Sequence, residues 1–194
     1  MDRDRCLIER NRPAGTLSIS QPAYINLIIK RLGLENAKSV SSPMDPNTHL
    51  QCRDITLGPD PEMMDIPYLA SVGSLNWCAV STRPDISYAC MKLASFMQNP
   101  TSTHWDAVLR VGKYLKGTRE LGITFQRGGG GLVGFTDSDW ASNQQDRIST
   151  SGYVFTFCGG AISWSSRKQR SVALSSMEAE YNAATSASPE AVWL

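Results

Sequence analysis

Polar and apolar residues alternate one for one over Thr16-Leu17-Ser18-Ile19-Ser20, the period of a half-buried strand. The period then lengthens. Tyr24, Leu27, Ile28 and Leu32, with Arg31 as the polar exception, recur at helical spacing and predict a helix over 21–32. Ser20 offers an N-cap, Pro22 suits the first turn and Gly33 is a stop. Between 35 and 67 no period holds. Pro43, Pro46, Pro59, Pro61 and Pro67 stand among Asp, Asn and Ser, which predicts a long linker between packed units.

Three helices are expected between 68 and 118. The first spans 68–81, with Leu69, Val72, Leu75, Trp77 and Val80 as its apolar face. The second opens at Pro84, runs to about Gln98 and buries Ile86, Cys90, Leu93, Ala94 and Met97. The third is capped by Thr101, Ser102 or Thr103, ends near Gly117 and carries Trp105, Val108, Leu109, Val111 and Leu115. After Gly122 the pattern turns to strands. Ile123-Thr124-Phe125 is short and precedes a flexible glycine run at 128–131. Strands are expected at 132–137, 151–157 and 161–166, the last two joined by a Gly159-Gly160 turn, and 171–174 is read as an extension of the sheet. A helix follows from about Ser176. The fold class is α+β, a small helical region followed by a three-stranded antiparallel sheet with one helix. The expected segments are 1–34, 35–67, 68–120 and 121–194.

Composition narrows the function classes. Of 194 residues, 41% are hydrophobic and 19% charged, a globular balance. Nineteen basic against eighteen acidic residues leave a net charge of +1, so any nucleic-acid contact must come from a local patch. No apolar run is long enough to span a bilayer, and the charged start at 1–5 leads into no apolar stretch, so no secretory signal or membrane partner is expected. The five cysteines, Cys6, Cys52, Cys78, Cys90 and Cys158, are scattered without C-x-x-C spacing. They read as reduced thiols in an intracellular protein of cytoplasm or nucleus.

Three groups of residues carry candidate chemistry. Val133, Phe135 and Asp137 share one strand face, and a carboxylate at the end of that row needs a cation or hydrogen-bond partner wherever it is covered. Asp139 would join it if the strand continued, but Ser138 and Trp140 suggest that the strand is ending. Glu178 and Glu180, two positions apart on the last helix, point about 200° away from each other. Ser175-Ser176-Met177-Glu178 matches a capping box, which gives Glu178 a structural task. Glu180 lies on a stripe with Ala183, Ala184 and Ala187 and is the candidate partner of Asp137. Two hard oxygen ligands favour magnesium or manganese over zinc. Arg167, Lys168 and Arg170 form the densest basic run and can meet phosphates; a solvated sheet edge is the alternative. His49 and His104 lie apart with no ligand pattern, and His104 reads as structural.

The chain also resembles a family. The residues that carry the resemblance are Thr16–Gln21, Pro67-Tyr68 through Leu75, Thr82-Arg83-Pro84-Asp85-Ile86, His104-Trp105 and Tyr114–Thr118. They continue with Gly134-Phe135-Thr136-Asp137-Ser138-Asp139-Trp140-Ala141, Ser149-Thr150-Ser151-Gly152-Tyr153, Ile162–Gln169 and Val172–Tyr181. In this order they resemble the Pol polyprotein of copia-type (pseudoviral) LTR retrotransposons, from the end of the reverse transcriptase region into the ribonuclease H domain. The resemblance implies a palm-like strand and helix at 1–34, a helical connection region at 68–120 and a partial ribonuclease H-like fold at 121–194.

Ribonuclease H domains cleave the RNA strand of an RNA–DNA hybrid with two divalent ions held by four carboxylates. The resemblance makes Asp137 the first-strand aspartate and Glu180 the first-helix glutamate, both catalytic and both ligands to Mg2+ or Mn2+. The family's other two aspartates lie beyond the first helix and are not in this sequence, and no Asp-Asp pair of a polymerase motif occurs. The expected function is thus a segment of a reverse transcriptase/ribonuclease H polyprotein, catalytically incomplete and with weak or absent metal binding. Its partners would be the RNA–DNA hybrid and the rest of Pol. The alternatives are a non-catalytic nucleic-acid or Pol-binding module and a non-functional relic.

Overall fold

The computed structural model describes residues 6–48, 50–54, 56, 58–140 and 147–194; the charged start at 1–5 and His49 lie outside them. Its helices and strands, in chain order, are β1 (Leu7–Asn11), β2 (Thr16–Ser20), α1 (Pro22–Arg31), α2 (Tyr68–Ser81), α3 (Ser87–Ala94), α4 (Ser102–Gly117), β3 (Gly122–Gln126), β4 (Val133–Asp139), β5 (Thr150–Phe157), β6 (Gly160–Lys168) and α5 (Ser176–Trp193). The fold is mixed α+β, with two three-stranded sheets ordered β1-β2-β3 and β4-β5-β6. Contacts divide the chain into two units. One is Ile19–Gly122 with the chain before Glu9; the other joins Glu9–Ser18 to Ile123–Leu194.

The first unit is helical. Ile25, Ile28, Val72, Leu75, Ile86, Leu93, Val108, Val111 and Leu115 form its fully buried centre, where α1 and α2 pack on α4 and α2 packs on α3. The buried face of α2 is Tyr68, Val72, Leu75, Cys78 and Ala79, whereas Leu69, Trp77 and Val80 are exposed. That corrects the expected face: Val72 and Leu75 hold, and the other three apolar residues point to water. The α1 helix is capped by Gln21, not Ser20, and Gln21 makes no side-chain cap bond. A 3-10 turn over Pro84–Ile86 precedes α3, which ends at Ala94, earlier than expected.

Residues 35–67 contain, among the described residues, one 3-10 turn, Pro61–Met63. The stretch is nonetheless tied down. Leu50 and Met63 are buried in the core, and Lys116 Nζ donates to the carbonyls of Glu35 and Ala37 at 2.6 and 2.7 Å. The thiols of Cys78 and Cys90 are buried, which pushes both up to about 12, and all five cysteines are free.

In the second unit β4, β5 and β6 are antiparallel, and α5 packs on β4 and β5. Gly134 pairs with Phe155, and a Cβ at Gly134 would lie 2.5 Å from the buried Phe155 ring, so only glycine fits there. Two expectations fail here. Residues 171–174 form no strand, since Ala173 alone among them is buried. The glycine run is pinned as well, because Gly129 N–H donates to Gln126 and the Gly130 carbonyl accepts from Cys158 N–H.

Candidate metal and nucleic-acid site

Register fixes which side chains can meet on the second unit's sheet. Gly134, Phe155 and Ser163 stand in one row across the strands, and Ser138, Ser151 and Arg167 in another, all on the same face. This face meets α5. Ser163 Oγ donates to Glu190 Oε1 at 2.6 Å, and Gln169 Nε2 donates to both Ser151 Oγ and the Ala179 carbonyl at 2.9 Å. Ala179, Ala183 and Ala187 form the buried stripe of α5, small enough to let the helix lie close. Ala184 is exposed, so the stripe runs one residue to the side of the expected one.

Each candidate carboxylate stands one residue away from this contact row. Asp137 precedes Ser138 and Glu180 follows Ala179, but α5 lies on the Ser138–Ser151 face and Asp137 on the other, so the fold does not bring the two expected partners onto one face. Asp137 is exposed, and its Oδ1 accepts from the Ser138 amide at 2.9 Å. Strand alternation directs it, with Val133 and Phe135, to the sheet face opposite Phe155. The strand does not end there. It continues through Asp139, which shares the side of Asp137 and is also exposed. Glu180 is exposed, and its carboxylate has no hydrogen bond or ion pair among the described residues.

Glu178 has the structural task expected of it. Its amide donates to Ser175 Oγ at 3.1 Å, and its carboxylate accepts from the Leu174 amide at 2.7 Å, one residue before the N-cap. Magnesium and manganese suit carboxylate oxygens; one oxygen of Asp137 is engaged by the Ser138 amide, and both candidate side chains are exposed. Among the described residues no group of three or more His, Cys, Asp or Glu can hold a metal ion.

The basic run is dispersed by the fold. Arg167 and Lys168 are the last residues of β6, within the strand and not after it, and leave it on opposite faces. Arg170 is exposed beyond the strand. Gln169, between them, turns inward to tie α5 to β5, and its backbone N–H donates to the Ser149 carbonyl. Sequence reasoning passed over this residue. The signal was a lone neutral amide inside a basic run just before a helix. His104 is structural: it is buried, accepts the Thr101 amide on Nδ1 at 2.9 Å and stacks on Phe96 at 4.1 Å.

Comparison with known proteins places the chain. It is 41% identical over 189 residues, 96% of its length, to the retrovirus-related Pol polyprotein from transposon TNT 1-94 of Nicotiana tabacum. It is 39% identical over 188 residues to the corresponding polyprotein from transposon RE2 of Arabidopsis thaliana. The chain belongs to the retrotransposon Pol polyprotein family. It spans 14% and 13% of these two relatives, so it corresponds to one segment of a Pol polyprotein. A segment of 133 residues is 49% identical to the secreted RxLR effector protein 161 of Plasmopara viticola, and covers 94% of that protein. No protein-family model and no solved structure matches the chain. No helix among the described residues is long and apolar enough to cross a membrane.

Proposed function

We propose that this Pol segment joins the end of a reverse transcriptase region to the first part of a ribonuclease H-like domain, and that β4, β5, β6 and α5 are that first part. The observation that carries this is the placement of Asp137 and Glu180. Both are exposed and neither carboxylate is held by a cation among the described residues, with Asp137 on the sheet face that α5 leaves open and Glu180 on α5 itself. When bound, magnesium or manganese would supply Lewis acidity for phosphodiester hydrolysis. Asp137 and Glu180 would each offer oxygen ligands, and Arg167 and Lys168, on opposite faces of the end of β6, and Arg170 beyond it would meet phosphates of an RNA–DNA hybrid as separate point contacts. Two carboxylates give a hard ion few charged ligands, so this segment is proposed to bind hybrid and metal weakly, without robust cleavage.

The test pairs two measurements on the full chain. Calorimetric titration with Mn2+ should show weak binding that disappears in both Asp137→Asn and Glu180→Gln. A magnesium-dependent assay on an RNA–DNA hybrid should show negligible cleavage. Robust cleavage abolished by Asp137→Asn would overturn the incompleteness, and Mn2+ binding unchanged in both variants would overturn the ligand assignment.

A second reading, a non-catalytic interaction module, draws on the Plasmopara viticola relative, nearly all of which is matched by a segment of this chain. Hybrid binding that is indifferent to metal and to both carboxylates would favour it.

A further inference from the structure

We propose that the β1–β2 hairpin and the end of β3 form a phosphate-binding cavity for a single nucleic-acid strand, built on Arg10, Arg12 and Arg127. The choice of a nucleic acid as ligand rests on the Pol reading above; the site itself rests on the cavity. A recess of about 300 Å³ lies within the second unit, lined by Arg10, Asn11, Arg12, Gln126, Arg127 and Cys158 among others, and no carboxylate lines it. Three arginine side chains on the residues lining one cavity, in a chain whose net charge is only +1, are a local concentration of positive charge. None of the three has a hydrogen-bond or ion-pair partner among the described residues, and all three are exposed. Glu9 lines the wider recess on the hairpin, which shares Arg10, Asn11 and Arg12 with this cavity.

The walls are held by backbone. Gly15 N–H donates to the Arg12 carbonyl at 3.2 Å, and the Gly15 carbonyl accepts from Arg127 N–H at 2.8 Å, so the stations of two arginines are linked through one residue. Gly15 has φ +68°, and a Cβ there would lie 3.0 Å from Arg127 Cβ; its glycine character lets the Arg127 stem lie against the turn. On the far wall Cys158 holds φ +51°, a left-handed conformation unusual for a side-chain-bearing residue. Its carbonyl accepts from Gln126 N–H at 2.8 Å and its N–H donates to the Gly130 carbonyl at 3.2 Å. These bonds fix the backbone of Cys158, a half-buried lining residue of the cavity. Planar guanidinium forks match phosphate oxygens in pairs, and Asn11 and Gln126 add neutral amides. A phosphodiester has the charge and donor demand that this lining meets; an apolar or cationic ligand does not.

The test is binding of a short fluorescein-labelled oligothymidylate to the full chain, read by anisotropy across a salt series. The variant Arg10→Gln/Arg12→Gln/Arg127→Gln should bind at least ~10-fold more weakly, and its log–log salt slope should fall by about 2, the value for three lost contacts to a single strand. Arg31→Gln, an exposed arginine on α1, should leave both unchanged. Independently of any variant, the oligonucleotide should slow alkylation of Cys158 in the wild-type chain at least ~3-fold, as a group at a phosphate-occupied cavity must be shielded, while exposed Cys52 reacts at its free rate. An unchanged affinity and slope in the triple variant, an equal loss in Arg31→Gln, or unprotected Cys158 would each overturn the site. Failure of the wild-type chain to bind any nucleic acid, hybrid included, would instead overturn the Pol reading with it.

Discussion

Arg83 grips Asp85 at two points, Nε to Oδ1 at 2.9 Å and Nη2 to Oδ2 at 2.7 Å, with the arginine side chain only 1% exposed. The guanidinium also donates to the carbonyl and Oγ1 of Thr118 just past α4, and stands 5.6 Å over the Tyr114 ring. Tyr114 closes the circuit by donating to Asp85 Oδ2 at 2.8 Å. Burial pushes the Asp85 carboxyl up, but the hydrogen bonds and charge of Arg83 and the Tyr114 hydroxyl outweigh it and hold the group below its ordinary value. Removing Asp85 leaves Arg83 buried without its anion. Asp85→Ala should therefore destabilise the helical unit by about 3 kcal/mol, whereas Tyr114→Phe, which keeps the ring, should cost about 1 kcal/mol. Urea unfolding followed by tryptophan fluorescence checks both; a smaller loss in Asp85→Ala than in Tyr114→Phe would reverse the assignment.

His104 predicts a dependence on pH. Burial lowers its pKa below the ordinary 6.5. The unfolded chain therefore takes up a proton before the folded one does. The stabilisation is present above about pH 6.5 and is lost as the pH falls below it. Protonation would also place a hydrogen on Nδ1, which now accepts the Thr101 amide. The melting temperature of the wild-type chain should fall between pH 7 and pH 5. In His104→Gln, which keeps a capping-box residue at the third helical position, the fall should be much smaller. Parallel slopes in the two proteins would remove His104 as the cause.

Gly134→Ala should be disruptive although it adds one methyl group. The new Cβ would lie 2.5 Å from the ring of Phe155, which is buried and tilted at 58° to the Tyr153 ring, centroids 5.6 Å apart. Overpacking of this kind costs about 1–3 kcal/mol. The double variant Gly134→Ala/Phe155→Leu should recover part of the loss, because the two sites are in contact. Amide exchange along β4 and β5 is the readout, and additive losses would show that the ring has somewhere else to go.

The two glutamates of α5 should separate cleanly. Glu178→Ala loses the bond to the Leu174 amide and should cost about 1 kcal/mol of stability, with Mn2+ titration unchanged. Glu180→Gln should leave the melting temperature within a degree or so and abolish the titration. A swapped pattern would exchange their roles.

The parts of the fold that the sequence disclosed are those whose apolar residues keep a period. The bounds of α2 match expectation at both ends, yet its face does not, because apolar residues occur all round it and spacing cannot say which side a neighbour will cover. Strand β1 was illegible for the opposite reason. Leu7–Asn11 is exposed throughout and carries Glu9 and Arg10 where a core strand would alternate. The pattern at 171–174 looked like a strand but has no partner to pair with. In the candidate site, Asp137's place in its strand and Glu178's in its helix cap were readable because alternation and capping are local features; the strand's end was not, since β4 runs on through Asp139. Gln169 was not, since its partners Ser151 and Ala179 are 18 and 10 residues away and only the fold brings them together.

The interleaving of the two units sets where this chain can be cut. Glu9–Ser18 sorts by contact with Ile123–Leu194, although more than half the sequence runs between them. A fragment beginning at Gly122 would keep β3 and lose both other strands of its sheet, and one ending there would leave the hairpin with no third strand. Neither half is a contiguous gene segment. Separating them for expression calls for a relocated terminus, with the hairpin spliced ahead of β3 by a short connector, and recombination between related elements that breaks near Gly122 would leave each product with an open sheet edge.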